Sequence, residues 1–320
     1  MSSVAVIGAG AWGTALAIQA ARAGNEVALW ARDPARARAI DASRENPRLP
    51  GYILPESVHV VDTLPTSADA MLLAVPMQYL RGVLVSLPSS PAPVVVCVKG
   101  VETATLHLPL EVLTELRPQS KAAVLTGPNF AHEIAAGLPA ASVVAASDAA
   151  LRDAIAGLLS TPAFRLYGND DPIGAQVGGA AKNVIAIAAG AVIGAGLGEN
   201  ARAALITRGL AELSRLAVAL GGRAETVMGL SGLGDLLLTC TGLSSRNYSL
   251  GLALGCGEKL ADVLAARNSV TEGVATAPAL VARAAGVDMP ICAAVAALLA
   301  GHTTLAEAIS ALLARPRRDE

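Results

Sequence analysis

Aromatic side chains are scarce. Phe, Tyr and Trp together make up 2% of the 320 residues, while hydrophobic residues reach 53%. Any core must therefore be packed by Ala, Val, Leu and Ile. Charge is sparse as well. The net charge of −2 leaves no electrostatic footprint for nucleic acid. The short basic run Arg315-Pro316-Arg317-Arg318 is followed at once by Asp319 and Glu320 and reads as a solvated chain end. Cys97, Cys240, Cys256 and Cys292 are scattered, with no metal or redox-motif spacing between any two. They read as free thiols of a reducing, cytoplasmic compartment, and no metal site is expected. The start, MSSVAVIGAG, has no basic region ahead of an apolar stretch and runs straight into a strand pattern, so no signal peptide is expected there. Mean hydropathy is high at +0.52. Yet the apolar run 184–197 is Gly- and Ala-rich and too short for a membrane span, so it reads as a buried helix.

What is present begins with a short apolar strand at 4–7, a G-x-G-x-x-G at 8–13, a helical run at 14–22 and a second strand at 26–30. Strand, glycine turn, helix and strand in about thirty residues is the context in which that motif binds a dinucleotide. Gly8 permits the tight turn, Gly10 lets a pyrophosphate approach the backbone, and Gly13 lets the helix pack close to the strand. The helix N-terminus then faces the phosphates. After the second strand comes Ala31-Arg32-Asp33. An acid there holds the ribose hydroxyl of NADH; an arginine accommodates the extra phosphate of NADPH. Arg32 comes first and favours NADPH, while Asp33 either serves NADH or caps the helix opening at Pro34.

Further strands are expected at 70–75, 94–98, 122–126, 142–146 and 164–167, alternating with helices at 78–87, 106–116 and 148–159. The segment 46–55, rich in turn formers, reads as a loop with a local task. The alternation predicts a parallel, doubly wound α/β domain of the Rossmann type. Lys99 follows the strand at 94–98, at the sheet end where such folds bind ligands; surface lysine is the competing reading. After residue 169 only helical patterns remain. This predicts a dinucleotide-binding domain over 1–175 and an all-α substrate and catalytic domain over 176–320.

The second domain is organised around QVGGAAKNVIAIAAG at 176–190, a helical core bounded by glycines at both ends. A helix apolar on every face is buried. Its one charge, Lys182, must find a partner or titrate low. It reads either as a proton carrier or as a structural ion pair or snorkelling side chain. The helix at 201–220 places Arg208, Glu212 and Arg215 opposite its apolar positions and is expected to pack on the Lys182 helix. In GLGDLLLTCT, Asp235 and Thr239 lie four apart on one helix face. Asp235 either orients Lys182 or merely complements a helix dipole. Ser245-Arg246-Asn247 carries an arginine suited to phosphate.

In order along the chain stand GAGAWGTAL, LAVP, VKGVE, LTGPNFAHEIAAGLPAA, GGAAKNVIAIAAG, NARAALITRGLAELSRL, GLSGLGDLLLTCT, SSRN, VTEG and MPI. The ordered set covers nearly the whole chain and resembles the bacterial NAD(P)-dependent glycerol-3-phosphate dehydrogenase family. The resemblance implies reversible reduction of dihydroxyacetone phosphate to sn-glycerol 3-phosphate, which supplies glycerophospholipid synthesis. It implies substrate held in the cleft between two domains, and a possible homodimer. Matched residue by residue, it makes Lys182 the proton donor and acceptor. Lys99 would touch cofactor and substrate. Gly127, Asn129, Asp235, Ser245, Arg246 and Asn247 would touch substrate, with Arg246 also near the cofactor. Ala11, Trp12, Arg32, Ala131, Val270 and Glu272 would touch cofactor. Ala11 and Asn129 stand where many members carry a hydroxyl residue. The chemistry adds Asn183 and Thr239 as hydrogen-bonding groups for the substrate carbonyl. A 6-phosphogluconate-type hydroxyacid dehydrogenase and a non-catalytic nucleotide sensor are the competing readings.

Overall fold

Strand β1 (Ser3–Ile7) shows why the N-terminal half forms a covered sheet. Val4 and Val6 enter one apolar cluster and Ala5 and Ile7 another, so alternate residues face opposite layers and both faces are buried. A computed structural model describes residues 2–267 and 270–315. The expectation for the tail at 316–320 lies outside the described residues; Arg315 pairs with Asp288 at 2.8 Å. The sequence from β1 runs through α1 (Ala11–Arg22), β2 (Glu26–Trp30), α2 (Pro34–Ser43), β3 (Val58–Val61), β4 (Ala70–Leu73) and α3 (Met77–Ser86). It continues with β5 (Val94–Val96), α4 (Pro109–Leu116), β6 (Ala122–Thr126), α5 (Ala131–Ala136), β7 (Ala140–Ala145), α6 (Ala149–Leu159) and β8 (Phe164–Asn169).

The sheet has eight strands in the order β3-β2-β1-β4-β5-β6-β7-β8. Its first six strands are parallel, in the dinucleotide-binding order whose switch point lies between β1 and β4. The expectation of an all-parallel sheet is corrected at β7, which pairs antiparallel with β6. The connection explains it. The six-residue α5 rises only about 9 Å, too little to return the chain along a strand of about 17 Å. Strand β3 was not foreseen, because its four residues, VHVV, are interrupted by His59.

The remaining chain is helical: α7 (Pro172–Gly194), α8 (Gly198–Ala219), α9 (Ala224–Val227), a π-helical turn at Leu230–Gly234, α10 (Asp235–Thr241), α11 (Arg246–Gly255), α12 (Leu260–Ala265), α13 (Glu272–Arg283), α14 (Pro290–Leu299) and α15 (Leu305–Leu313). Packing divides the chain into two units. One is Met1–Lys99 with His107–Gln176; the other is Gly100–Leu106 with Val177–Glu320, so a short loop after Lys99 belongs with the helices.

Helix α7 is longer than the glycine-bounded core expected from sequence, and its glycines lie inside it. A Cβ at Gly190 would stand 2.0 Å from the Tyr248 carbonyl oxygen, and one at Gly251 would stand 1.9 Å from that of Ile187. The glycines let α7 and α11 touch backbone to backbone, which offsets their poor helix propensity. By length and composition α7 could cross a membrane, but 83% of its most apolar window is buried in the fold. It is packed as a core helix. A Cβ at Gly209 would meet the Ile185 side chain at 2.8 Å, so α8 does pack on α7.

Glu212 is not on an exposed face of α8, contrary to its sequence pattern. It is 1% exposed, and its carboxylate accepts from the backbone N–H groups of Ile291 (2.6 Å) and Cys292 (3.1 Å) at the start of α14. A helix N-terminus needs such acceptors. Burial pushes the Glu212 carboxyl above its ordinary value, against the pull of those two N–H groups. A carboxyl raised on folding contributes stability that is complete below the unfolded pKa of about 4.3 and lost as pH rises through the folded value. Glu212→Gln keeps one acceptor oxygen and cannot ionise. It is expected to flatten the decline of unfolding free energy with rising pH in denaturant titrations; an undiminished slope would assign that decline elsewhere.

Candidate functional site

The loop between β1 and α1 has the geometry of a phosphate cradle. Gly8 has φ +120°, and a Cβ there would stand 2.7 Å from the Ala74 carbonyl oxygen; one at Gly13 would stand 1.8 Å from that of Gly8. Both positions therefore require glycine. A Cβ at Gly10 would meet nothing within 4 Å, so the space above it is open. Helix α1 begins at Ala11 and Trp12 with no side-chain cap and no acidic residue in its first turn. An open approach and uncapped N–H groups fit a pyrophosphate.

At the end of β2, Asp33 caps α2, accepting from the N–H groups of Ala35 (2.9 Å) and Arg36 (3.3 Å). The Arg32 guanidinium lies over the Tyr79 ring, 5.8 Å from its centroid. Two residues of this region went unrecognised in the sequence. Arg36 donates to the Ala9 carbonyl at 2.6 Å and to Asn46 Oδ1 at 3.1 Å. Asn46, fully buried, donates to Ala9 O at 3.1 Å and to Thr14 Oγ1 at 2.7 Å. This is the local task of the loop after α2: it pins the glycine turn. Only the Asn46-Pro47 turn signal pointed to it, and that signal does not name a partner.

Lys99 follows β5, and its Nζ donates to the Gly127 carbonyl at 3.1 Å. Gly127 has φ +144° and leaves β6 against Ser142, where a side chain would collide at 3.0 Å. The Asn129 amide is hydrogen-bonded to Ser142 Oγ at 2.7 Å, so that side chain is held to β7. Ala131 opens α5.

In the helical unit the geometry gathers around Lys182. It is 7% exposed and does not snorkel; Asp235, wholly buried, is its ion-pair partner, and Thr239 Oγ1 accepts from Nζ at 3.0 Å. Thr239 Oγ1 also donates to the Asp235 carbonyl at 2.6 Å, locking the first turn of α10. Asp235 follows the π-helical turn directly, and that turn packs on α7 at Gly178, where a Cβ would stand 2.4 Å from the Ser231 carbonyl oxygen. So the close approach that glycine permits brings the carboxylate to the ammonium. A buried ion pair of this kind is weak evidence for stability and stronger evidence for a task.

Asn183, the next residue of α7, accepts from Asn247 Nδ2 at 3.0 Å, and Asn247 Oδ1 accepts from the Gly273 N–H at 3.0 Å. Ser245 caps α11 by accepting from the Tyr248 N–H. Arg246 opens the helix and donates to the Val270 carbonyl at 2.7 Å; Glu272 opens α13. Arg267, which the sequence did not single out, ties these pieces together. Its guanidinium donates to the Arg246 carbonyl (2.6 Å), to Thr271 Oγ1 (3.3 Å) and to Ser249 Oγ (3.1 Å). Little in its sequence neighbourhood marks it, because two of its three partners come from α11.

Comparison with known proteins shows the family. Residues 3–152 match the family model described as NAD-dependent glycerol-3-phosphate dehydrogenase N-terminus, and residues 171–310 match that of its C-terminus. A glycerol-3-phosphate dehydrogenase (NAD(P)+) of Acidiphilium cryptum is 58% identical over 99% of this chain and 98% of its own. One from Gluconobacter oxydans is 54% identical over 98% and 97%. The crystal structure of glycerol-3-phosphate dehydrogenase from Coxiella burnetii superposes with a TM-score of 0.94 at 37% identity, covering 98% of this chain and 99% of that one. With both family models and these full-length relatives matching, the chain belongs to the NAD-dependent glycerol-3-phosphate dehydrogenase family.

Proposed function

We propose that this protein reduces dihydroxyacetone phosphate reversibly to sn-glycerol 3-phosphate, with Lys182 as the proton donor. The observation that carries the reading is the buried Lys182–Asp235–Thr239 group in a chain of this family. A nicotinamide nucleotide, when bound, supplies the hydride to the substrate carbonyl carbon. Its proposed contacts are the Gly8–Gly13 turn and the first N–H groups of α1, with Lys99, Ala131, Val270 and Glu272. Asp235 keeps Lys182 charged until the carbonyl oxygen gathers negative charge. One N–H of Lys182 then passes to that oxygen, leaving a neutral amine beside Asp235. In the reverse direction the amine takes the proton back. Thr239 holds Nζ in line, and Asn183 donates to the same carbonyl. Arg246, with Lys99, Gly127, Asn129, Ser245 and Asn247 around the ligand, anchors the phosphate, and that remote binding positions the reacting end.

NADPH is the preferred nucleotide in this reading. Asp33 is engaged as a helix cap, and Arg32 remains at the end of β2 to meet a 2′-phosphate. Arg32→Ala is expected to raise the Kd of NADPH by about tenfold, the value of one charge-assisted contact, and to leave NADH within about twofold of its original Kd. Equal losses would free Arg32 of that role. A cytoplasmic location is in keeping with four free thiols, and a homodimer with the family resemblance. The deciding assay is oxidation of NADPH with dihydroxyacetone phosphate as sole acceptor. Faster turnover with a hydroxyacid such as 6-phosphogluconate, or nucleotide binding without turnover, would overturn the proposal.

A further inference from the structure

The turn between β1 and α1 is held from behind by a hydrogen-bond chain whose direction is fixed throughout. The Arg48 N–H and the Arg36 guanidinium can only donate, so both take the carbonyl end of the Asn46 amide, at 3.0 and 3.1 Å. The NH2 end is thereby turned to the glycine loop. It gives one hydrogen to Ala9 O (3.1 Å) and the other to Thr14 Oγ1 (2.7 Å). Having accepted there, the Thr14 hydroxyl gives its own hydrogen to Gly10 O at 2.8 Å, beside the Thr14 N–H at 2.9 Å. Arg36 adds a second donor to Ala9 O at 2.6 Å. Asn46 and Thr14 are both fully buried. In a trans peptide the N–H points opposite to the C=O. Fixing Ala9 O therefore aims the Gly10 N–H away from Asn46, and fixing Gly10 O along α1 aims the Ala11 N–H off the start of that helix. Among the described residues neither N–H makes a hydrogen bond, and Gly10 is exposed.

We propose that Asn46 and Thr14 are positioning residues for the nucleotide, holding two successive peptide planes so that the Gly10 and Ala11 N–H groups are set in advance as pyrophosphate donors. The proposal rests on the nucleotide binding put forward above. Gly10 creates the need for the clamp: with no Cβ it has the widest choice of φ and ψ, and both peptides that flank it can swing. A loose turn loses that freedom when a ligand orders it, which weakens binding; a turn already held by buried side chains does not. The polar atoms of the Asn46 amide and the hydroxyl hydrogen of Thr14 are committed inside the protein. Their effect on a ligand therefore passes through the backbone of the turn.

The test divides the ligand. ADP and adenosine share the nucleoside, and only ADP carries the pyrophosphate. Their Kd values for the full-length protein are read by displacement of NADPH, followed through its fluorescence. Asn46→Leu removes both NH2 hydrogens and changes no charge. It is expected to raise the ratio of ADP Kd to adenosine Kd about tenfold, with adenosine within about twofold of its wild-type Kd. A merely structural role would loosen the whole sheet unit and weaken both ligands alike. Equal weakening, an unmoved ratio or tighter ADP binding overturns the proposal. Thr14 supplies the test should Asn46→Leu not fold. Thr14→Val keeps the shape and loses the hydroxyl, and must raise the ratio; Thr14→Ser keeps the hydroxyl, and must not. The same ratio in both Thr14 variants overturns the clamp. A wild-type protein that binds no NADPH would refute the nucleotide site itself; one that binds it, with an unmoved ratio in the variants, refutes only the clamp.

Discussion

Lys182→Ala is expected to lower kcat by about 10²–10⁴-fold, the range set by losing a positioned general acid, while the Kd for NADPH stays within about twofold. The reason is a division of labour. The glycine turn and the N-terminus of α1 belong to the sheet unit, and Lys182 to the helical unit. Removing the ammonium therefore takes away the proton and the charge that meets the developing alkoxide, but none of the groups proposed to hold the pyrophosphate. Lys182→Arg sharpens the test. An arginine keeps the charge but does not give up its proton in this pH range, so it should be nearly as inactive as alanine. Restored turnover would mean that charge alone suffices and that proton transfer is not the role of Lys182. Single-turnover kinetics with NADPH fluorescence would read both quantities in one experiment.

The second large effect is expected at the partner. Asp235→Ala leaves the Lys182 ammonium buried without its counter-charge, at a cost of about 3–5 kcal/mol in unfolding free energy. The protein can limit that cost by releasing the proton from Lys182, and a neutral amine is not an acid that can protonate the alkoxide. Activity is then expected to fall at neutral pH and to recover in part as pH is lowered. The double variant Lys182→Met with Asp235→Leu separates stability from chemistry. Apolar replacement of a whole buried pair is often neutral or stabilising, so this variant should regain most of the lost stability and remain inactive. If it stays as unstable as Asp235→Ala, the pair is a structural element and its place in the chemistry is lost. Urea denaturation and initial rates across pH provide the measurements.

These two experiments concern residues that were visible in the sequence to very different degrees. Lys182 stood out locally, as the one charge in a helix apolar on every side, and burial follows from that pattern wherever the helix docks. The G-x-G-x-x-G turn was equally legible, because strand, turn and helix are adjacent in the chain. The strand–helix alternation that builds β1, β2, β4, β5 and β6 was legible for the same reason: periodicity of burial is a property of neighbouring residues. The ordered motifs carried the family.

Other features depended on which elements came to lie together. Asp235 lies 53 residues from Lys182, and their pairing depends on a π-helical turn settling against Gly178. Glu212 has the spacing of a solvent-facing charge, yet the start of α14 lands on it and makes it a buried cap. The short α5 turns β7 antiparallel, although its pattern reads like any other strand. Asn247 reaches Asn183 only when α11 closes on α7 through reciprocal glycines. Chain-local chemistry specified the turn, the strands and the buried lysine. Tertiary packing chose their partners, because burial and hydrogen-bond direction belong to pairs of surfaces and not to either segment alone.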